Sequence, residues 1–336
     1  MAKLTADEKT ILDMFQYMRP SGTPMEQVFI DRFLTPLGFT RDPFRNLVLT
    51  VGDRPNILWS SHMDTVHREE GIQTLHYDGE FLGIGKKAKS STCLGADDTA
   101  GIWIMTEMVK AGVPGVYVIH HGEEIGCKGS RALARGNPEF FEGIDAAIAF
   151  DRMGYNSVIT HQMGARTASD AFAASFADAL DDALGIDAGF KADDGGAYTD
   201  TNEYADIVSE CTNISVGYHS QHSRNETQHV PFLIAMRNAM VRMDLSALVF
   251  ARDPSVVDYA GSYGFYRGYK SLFDDDPWDD PNNYVIPDRR SDDSIEEVIK
   301  AYPEIVAAIL HSYGLTRTML LDEIAEVYGE EALIAN

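Results

Sequence analysis

The chain has 336 residues, 44% of them apolar, and carries 52 acidic against 28 basic residues for a net charge of −24. That balance excludes binding to nucleic acid or anionic membrane through a general basic surface and is read first as solubility. The length allows one large domain with an ample core plus a small one. Three cysteines, Cys93, Cys127 and Cys211, cannot all pair, which points to a reducing compartment and to small buried thiols. The N-terminal stretch MAKLTADEKTILDMF has no apolar signal core and no run reaches membrane-spanning length. The expected location is therefore cytoplasmic, with no membrane partner.

Thr5 to Arg19 reads as an amphipathic helix, with Ile11, Leu12, Met14, Phe15 and Met18 at helical spacing. Ser21-Gly22-Thr23-Pro24 breaks it and starts a second helix over Met25 to Leu37. Short strands are predicted near Asn46–Val51 and Asn56–Ser60, joined by the turn Gly52-Asp53-Arg54-Pro55. Residues 70–90 read as a small β excursion that returns the chain to a Gly-Ala-Asp-Asp turn at Gly95–Asp98. An apolar helix, GIWIMTEMV, follows from Gly101. GVYVI (Gly115–Ile119) and AAIAF (Ala146–Phe150) are all-apolar strands, with a helix beginning near Ile125–Ser130 between them. Ala171–Leu184 is a helix, Asn213–Val216 a strand, and Val230 to Phe250 a long helix. Buried strands alternating with helices predict an α/β fold: a mainly parallel mixed sheet covered by helices on both faces.

Beyond a catalytic unit of residues 1–252 the composition changes. Residues 253–290 form an acidic, aromatic connecting segment, expected to lie along that unit as extended chain. Residues 291–336 are expected to form a small helical C-terminal region, with helices over Asp293–Tyr302, Pro303–Tyr313 and Leu315–Tyr328.

The polar residues that end the apolar runs form a pattern. His62-Met63-Asp64 closes one strand, Glu123-Glu124 follows the next, Asp151 ends a third, and His222 lies in a turn-rich stretch. Asp97-Asp98 stands at the mouth of the central helix, where a pair of carboxylates alone would be read as a helix cap. Histidines and carboxylates at the ends of successive strands are how an α/β fold assembles a metal site.

Five segments in this order, Ser61–Val66, Gly95–Gly101, Glu123–Gly126, Asp151 and His222–Glu226, resemble the co-catalytic zinc peptidases of the M20/M28 clan over roughly residues 5 to 250. The resemblance implies a zinc exopeptidase-like fold with two divalent metal ions, zinc first and manganese or cobalt as alternatives. It implies that Asp97 bridges the ions, with His62 and Asp151 completing one site and Glu124 and His222 the other. Glu123 would be the general base that activates a metal-bridging water. Asp64 would hydrogen-bond the far nitrogen of the His62 ring and set its tautomer. In the family the bridging aspartate is commonly followed by a cis peptide, here Asp97–Asp98.

Some alternatives stay open. His219 competes with His222 for the last ligand position, with His222 favoured because His-Ser-x-x-Glu matches the M20 form. His120 and His121 read as strand-end packing. Tyr198-Thr199-Asp200 is either pocket wall or a helix cap. M20 enzymes carry a lid domain before the last histidine, yet only 71 residues separate Asp151 from His222. The motifs are thus M20-like and the architecture M28-like, which puts carboxypeptidase specificity in doubt. The expected activity is that of an aminopeptidase or di/tripeptidase on short peptides, in a chain that could self-associate. An N-acyl amino acid deacylase is the rival, and a non-catalytic binding protein on a degenerate fold is disfavoured because every ligand position is occupied.

Overall fold

A computed structural model describes residues 3–185, 188–256, 258, 299, 300 and 303. The first of two compact units spans Met1–Ala260. Its main sheet has eight strands: β1 (Thr40–Arg41), β2 (Leu47–Val51), β3 (Ile57–His62), β4 (Gly115–His120), β5 (Ala146–Arg152), β6 (Ser157–Ile159), β7 (Lys191–Asp193) and β8 (Glu210–Ser215). Their spatial order is β7-β6-β8-β5-β3-β4-β2-β1. The central four, β8, β5, β3 and β4, run parallel. β2 and β6 join them antiparallel, giving the mixed sheet expected.

β3, β4 and β5 are apolar over most of their length because both faces are covered, whereas β8 is equally buried yet carries Glu210, Thr212, Asn213 and Ser215. In β3, Ile57 and Trp59 face one core cluster while Leu58 faces the other, as strand pleating requires. On the first face lie α1 (Ala6–Met14), α3 (Ala96–Ala111), α5 (Asp170–Leu184) and α6 (Val230–Arg242), with α3 against β3 and β5. The other face is covered by α4 (Lys128–Gly136) and the 3-10 turns Pro138–Phe141 and Asp200–Tyr204. A four-stranded antiparallel sheet pairs Leu75–Tyr77, Phe81–Ile84, Thr227–His229 and Tyr218–His219. It carries the predicted β excursion and the strands that flank His222. No helix among the described residues is long and apolar enough to cross a membrane.

Several element boundaries differ from the sequence reading. The first helix ends at Met14, not Arg19, because Tyr17–Met18 pairs antiparallel with Gly71–Ile72. The second runs from Pro24 to Phe29 (α2), then passes through a π turn at Ile30–Leu34 into a 3-10 turn at Thr35–Leu37. The strand expected at 213–216 begins at Glu210, in register with Ala146 of β5. The last long helix ends at Arg242 rather than Phe250: Met243 is extended, and the Asp244 side chain caps a 3-10 turn at Leu245–Ala247. The chain stays tied to this unit past residue 252. Arg252 bonds the carbonyls of Ala205, Val208 and Ser209, and Asp258 pairs with Arg166 at 3.0 Å. The connecting segment and the helical C-terminal region expected after it lie almost wholly outside the described residues.

Candidate metal centre

The parallel strands deliver their polar ends to one edge of the sheet. His62 ends β3 in register with His120 of β4, and Asp151 lies at the end of β5. Asp97 and Asp98 precede the regular turns of α3: both have non-helical backbone angles, and the bond between them is cis. The Asp-Asp pair divides two roles. Asp98 accepts from the Gly101 amide at 3.0 Å, as a helix cap does, and also from the Ser61 hydroxyl and the His62 amide. Asp97 instead faces the histidines.

Oδ1 of Asp97 lies 2.8 Å from His62 Nε2, and Oδ1 of Asp151 is 3.7 Å from that same nitrogen. Oδ2 of Asp97 lies 3.2 Å from His222 Nε2, which is 3.1 Å from Glu124 Oε1. All five expected ligands are therefore together, with His62 buried and His222 the most exposed. His219 points elsewhere, its ring 4.9 Å from that of Tyr155. His120 is packed between Asn46 and Tyr204.

The electrostatics are those of a carboxylate cluster short of positive charge. Burial pushes Glu123 well above the usual carboxylate range, with Asp151, Asp200 and Glu124 adding to it against His62. Burial and then the Asp97 charge raise Glu124 to about 7 and push Asp151 up as well. Burial opposes a charge on His222, but hydrogen bonds to Asp97 and Glu124 outweigh it and hold the ring at about 11. In His62, the Asp151, Asp64 and Asp97 carboxylates around the ring likewise overcome burial. His62 with Asp97 and Glu124, and His62 with Asp98 and Asp151, are groups that could hold a metal ion, and His222 stands beside Asp97 and Glu124; such a nitrogen and oxygen donor set suits divalent cations, which would supply the missing charge.

One expected contact is replaced. His62 Nδ1 bonds the main-chain oxygen of Asp64 at 3.0 Å, and the Asp64 carboxylate stands 3.7 Å away. The carboxylate is drawn off because its Oδ1 accepts the Glu123 amide at 3.1 Å. Asp64 thus links the strand end bearing His62 to the loop bearing Glu123.

Other neighbours escaped the sequence reading. Thr199 Oγ1 donates to Asp151 Oδ2 at 2.7 Å and the Tyr218 hydroxyl to Oδ1 at 3.1 Å. Arg19, fully buried, donates to the Met63 carbonyl at 2.6 Å and to Thr99 Oγ1 of α3 at 2.8 Å. Thr199 had left a local signal in Tyr198-Thr199-Asp200, and Tyr218 one in Tyr218-His219; Arg19 had left none.

A family model described as "Peptidase family M28" matches residues 46–222, just over half of the chain and every expected ligand. The chain belongs to peptidase family M28. It is a metal-dependent peptide-bond hydrolase. No curated protein sequence matches this M28 peptidase. A tripeptidase from Staphylococcus aureus shares 16% identity with a TM-score of 0.58, the match covering 71% of this chain and 97% of the other. An aminopeptidase PepT from Bacillus cereus shares 16% with a TM-score of 0.53, covering 69% and 95%. The TET1 peptidase of Pyrococcus horikoshii, which can assemble into a tetrahedron or a large octahedral shell, shares 15% with a TM-score of 0.54, covering 71% and 100%. At such identities the likeness is one of fold.

Proposed function

We propose that this M28 peptidase is an exopeptidase on short peptides that works with two divalent metal ions, zinc in preference to manganese or cobalt. The observation that carries the reading is the divided Asp97 carboxylate, with one oxygen beside His62 and Asp151 and the other beside His222 and Glu124. In this reading His62, Asp97 and Asp151 hold one ion, and Asp97, Glu124 and His222 the other. Bound there, the ions supply Lewis acidity that polarises the scissile carbonyl and makes water more acidic. Glu123 takes the proton of the attacking water and passes it to the leaving amine. Its raised proton affinity suits both halves of that transfer. Asp64 sets the Glu123 backbone through its amide, and Thr199 and Tyr218 orient Asp151.

Tripeptidase and aminopeptidase neighbours of the same fold support a small-peptide substrate. The stretch from Asp151 to His222 gives three strands to the main sheet and α5 to its face, which leaves the described residues without the M20 lid and weighs against carboxypeptidase specificity. The shells formed by the TET1 peptidase support self-association. The test is hydrolysis of a peptide library by the full chain, chelated and then reloaded with zinc, manganese or cobalt. Blocked peptides and N-acyl amino acids belong in the library, and mass in solution is measured in parallel. Metal-dependent release of single residues from short peptides is expected. Preferential turnover of N-acyl amino acids would make the enzyme a deacylase, and no turnover with any metal would overturn the reading.

A further inference from the structure

Asp97 and His222 lie on segments far apart in the sequence, each with irregular backbone at the ligand itself. His222 sits at the tip of the hairpin between strands Tyr218–His219 and Thr227–His229, with a left-handed backbone at φ 62°. Asp97 ends the irregular segment that leads into α3. What joins these segments is Glu226, at the base of the His222 hairpin and 1% exposed. Its Oε2 accepts the amides of Leu94 and Gly95 at 2.7 and 2.9 Å, and its Oε1 those of Ala96 and Asp97 at 2.8 and 3.2 Å. One carboxylate thus satisfies four successive buried N–H groups, the last belonging to Asp97 itself. Arg224 continues the clamp on the preceding loop, donating to the carbonyls of Ala88 and Ser91.

We infer that Glu226 is a positioning residue that locks the Asp97 loop to the His222 hairpin, so that the two ligands keep the separation a shared metal ion needs. The inference rests on the metal-centre reading above. The residue type follows from the donors. An ionised carboxylate is acceptor-only and has room for two N–H groups on each oxygen. A glutamine of the same shape would accept on one oxygen and turn its own N–H groups against the other two amides, leaving them buried and unpaired. Those amides flank Asp97, so the loop would move and the Asp97 carboxylate would turn away from His222. An aspartate keeps the charge but falls one methylene short of the loop.

The experiment uses the full chain, freed of metal by chelation and titrated with cobalt(II), read by the visible absorption of the bound ion. Unfolding of each metal-free protein is followed alongside by circular dichroism. Wild type should take up two equivalents. Glu226→Gln should bind at least one of them roughly 10- to 100-fold more weakly, the range for losing a group that orients a ligand, with a changed absorption band. A merely structural role would lower the melting temperature and leave affinity and band unchanged, and that result overturns the inference. If Glu226→Gln does not fold, Glu226→Asp is judged by the same criterion. Wild-type protein that takes up no cobalt would sink the metal-centre reading instead, and the inference with it.

Discussion

Replacing Glu123 by Gln removes a proton acceptor while keeping the shape of the side chain. Little else in the structure depends on that carboxylate. Its amide bond to Asp64 is made by the main chain, and the hydrogen bond found for its oxygens among the described residues is a weak one from the Cys127 thiol at 3.6 Å. Burial already drives the carboxyl toward its neutral form, so an amide there should leave stability within about 1 kcal/mol of wild type. Turnover should behave differently. General-base assistance is worth about 10²–10⁴-fold, or about 2.7–5.4 kcal/mol of barrier. The expected result is a fall in kcat of that size at saturating metal, with both ions retained by elemental analysis. Glu124→Gln should do the reverse at first: it removes the oxygen 3.1 Å from His222 Nε2 and so weakens one metal site before anything else. Near-wild-type turnover by Glu123→Gln, or loss of metal from it, would refute the division of labour between the neighbouring glutamates.

Chelation should lower the melting temperature, and two equivalents of zinc should restore it, since ligands that bind only the folded state add stability by mass action; recovery complete at one equivalent would contradict a two-ion centre. Thr199→Val deletes the 2.7 Å bond to Asp151 and should weaken cobalt binding roughly tenfold in a titration, with unchanged affinity refuting its role in orienting that ligand. Gly129→Ala would set a methyl group 2.8 Å from the main chain of His121 and closer still to Asn46 Oδ1, and should cost about 1–3 kcal/mol in denaturant unfolding. His67 is held down to about 4, first by burial and then by the Arg19 charge, so between that value and about 6.5 the unfolded chain binds the extra proton and stability falls as pH falls. The stability difference between wild type and His67→Asn should accordingly shrink by up to about 1.4 kcal/mol per pH unit below about 6.5, and a difference that stays flat would refute the buried neutral ring.

The sequence alone was enough to determine the fold class, the central strands and the residues at their ends. Buried parallel strands tend to near-continuous apolar runs, so Asn56–Ser60, Gly115–Ile119 and Ala146–Phe150 stand out together with the polar residues that end them, while the equally buried but polar Glu210–Thr212 does not. His62, Glu123, Glu124 and Asp151 were visible for that reason. Asp97 and His222 were visible through the order of the motifs. Tertiary structure decided whatever depends on a partner far along the chain. The first helix yields at Met14 to a strand pairing with Gly71–Ile72, which no local pattern announces. Adjacent and identical in type, Asp97 and Asp98 part company because one faces His62 and His222 while the other meets Ser61 and the Gly101 amide. Asp64 gives its carboxylate to Glu123 rather than to His62 because the loop after β4 returns to it. Arg19 looks like a surface charge in the sequence and Glu226 only the end of a motif, yet both are buried: Arg19 meets the Met63 carbonyl and the Thr99 hydroxyl, and Glu226 meets four main-chain amides, partners that only the folded chain brings within reach. Hydrophobic periodicity is a local property and survives in the sequence; hydrogen-bond satisfaction in the interior is a property of the whole fold.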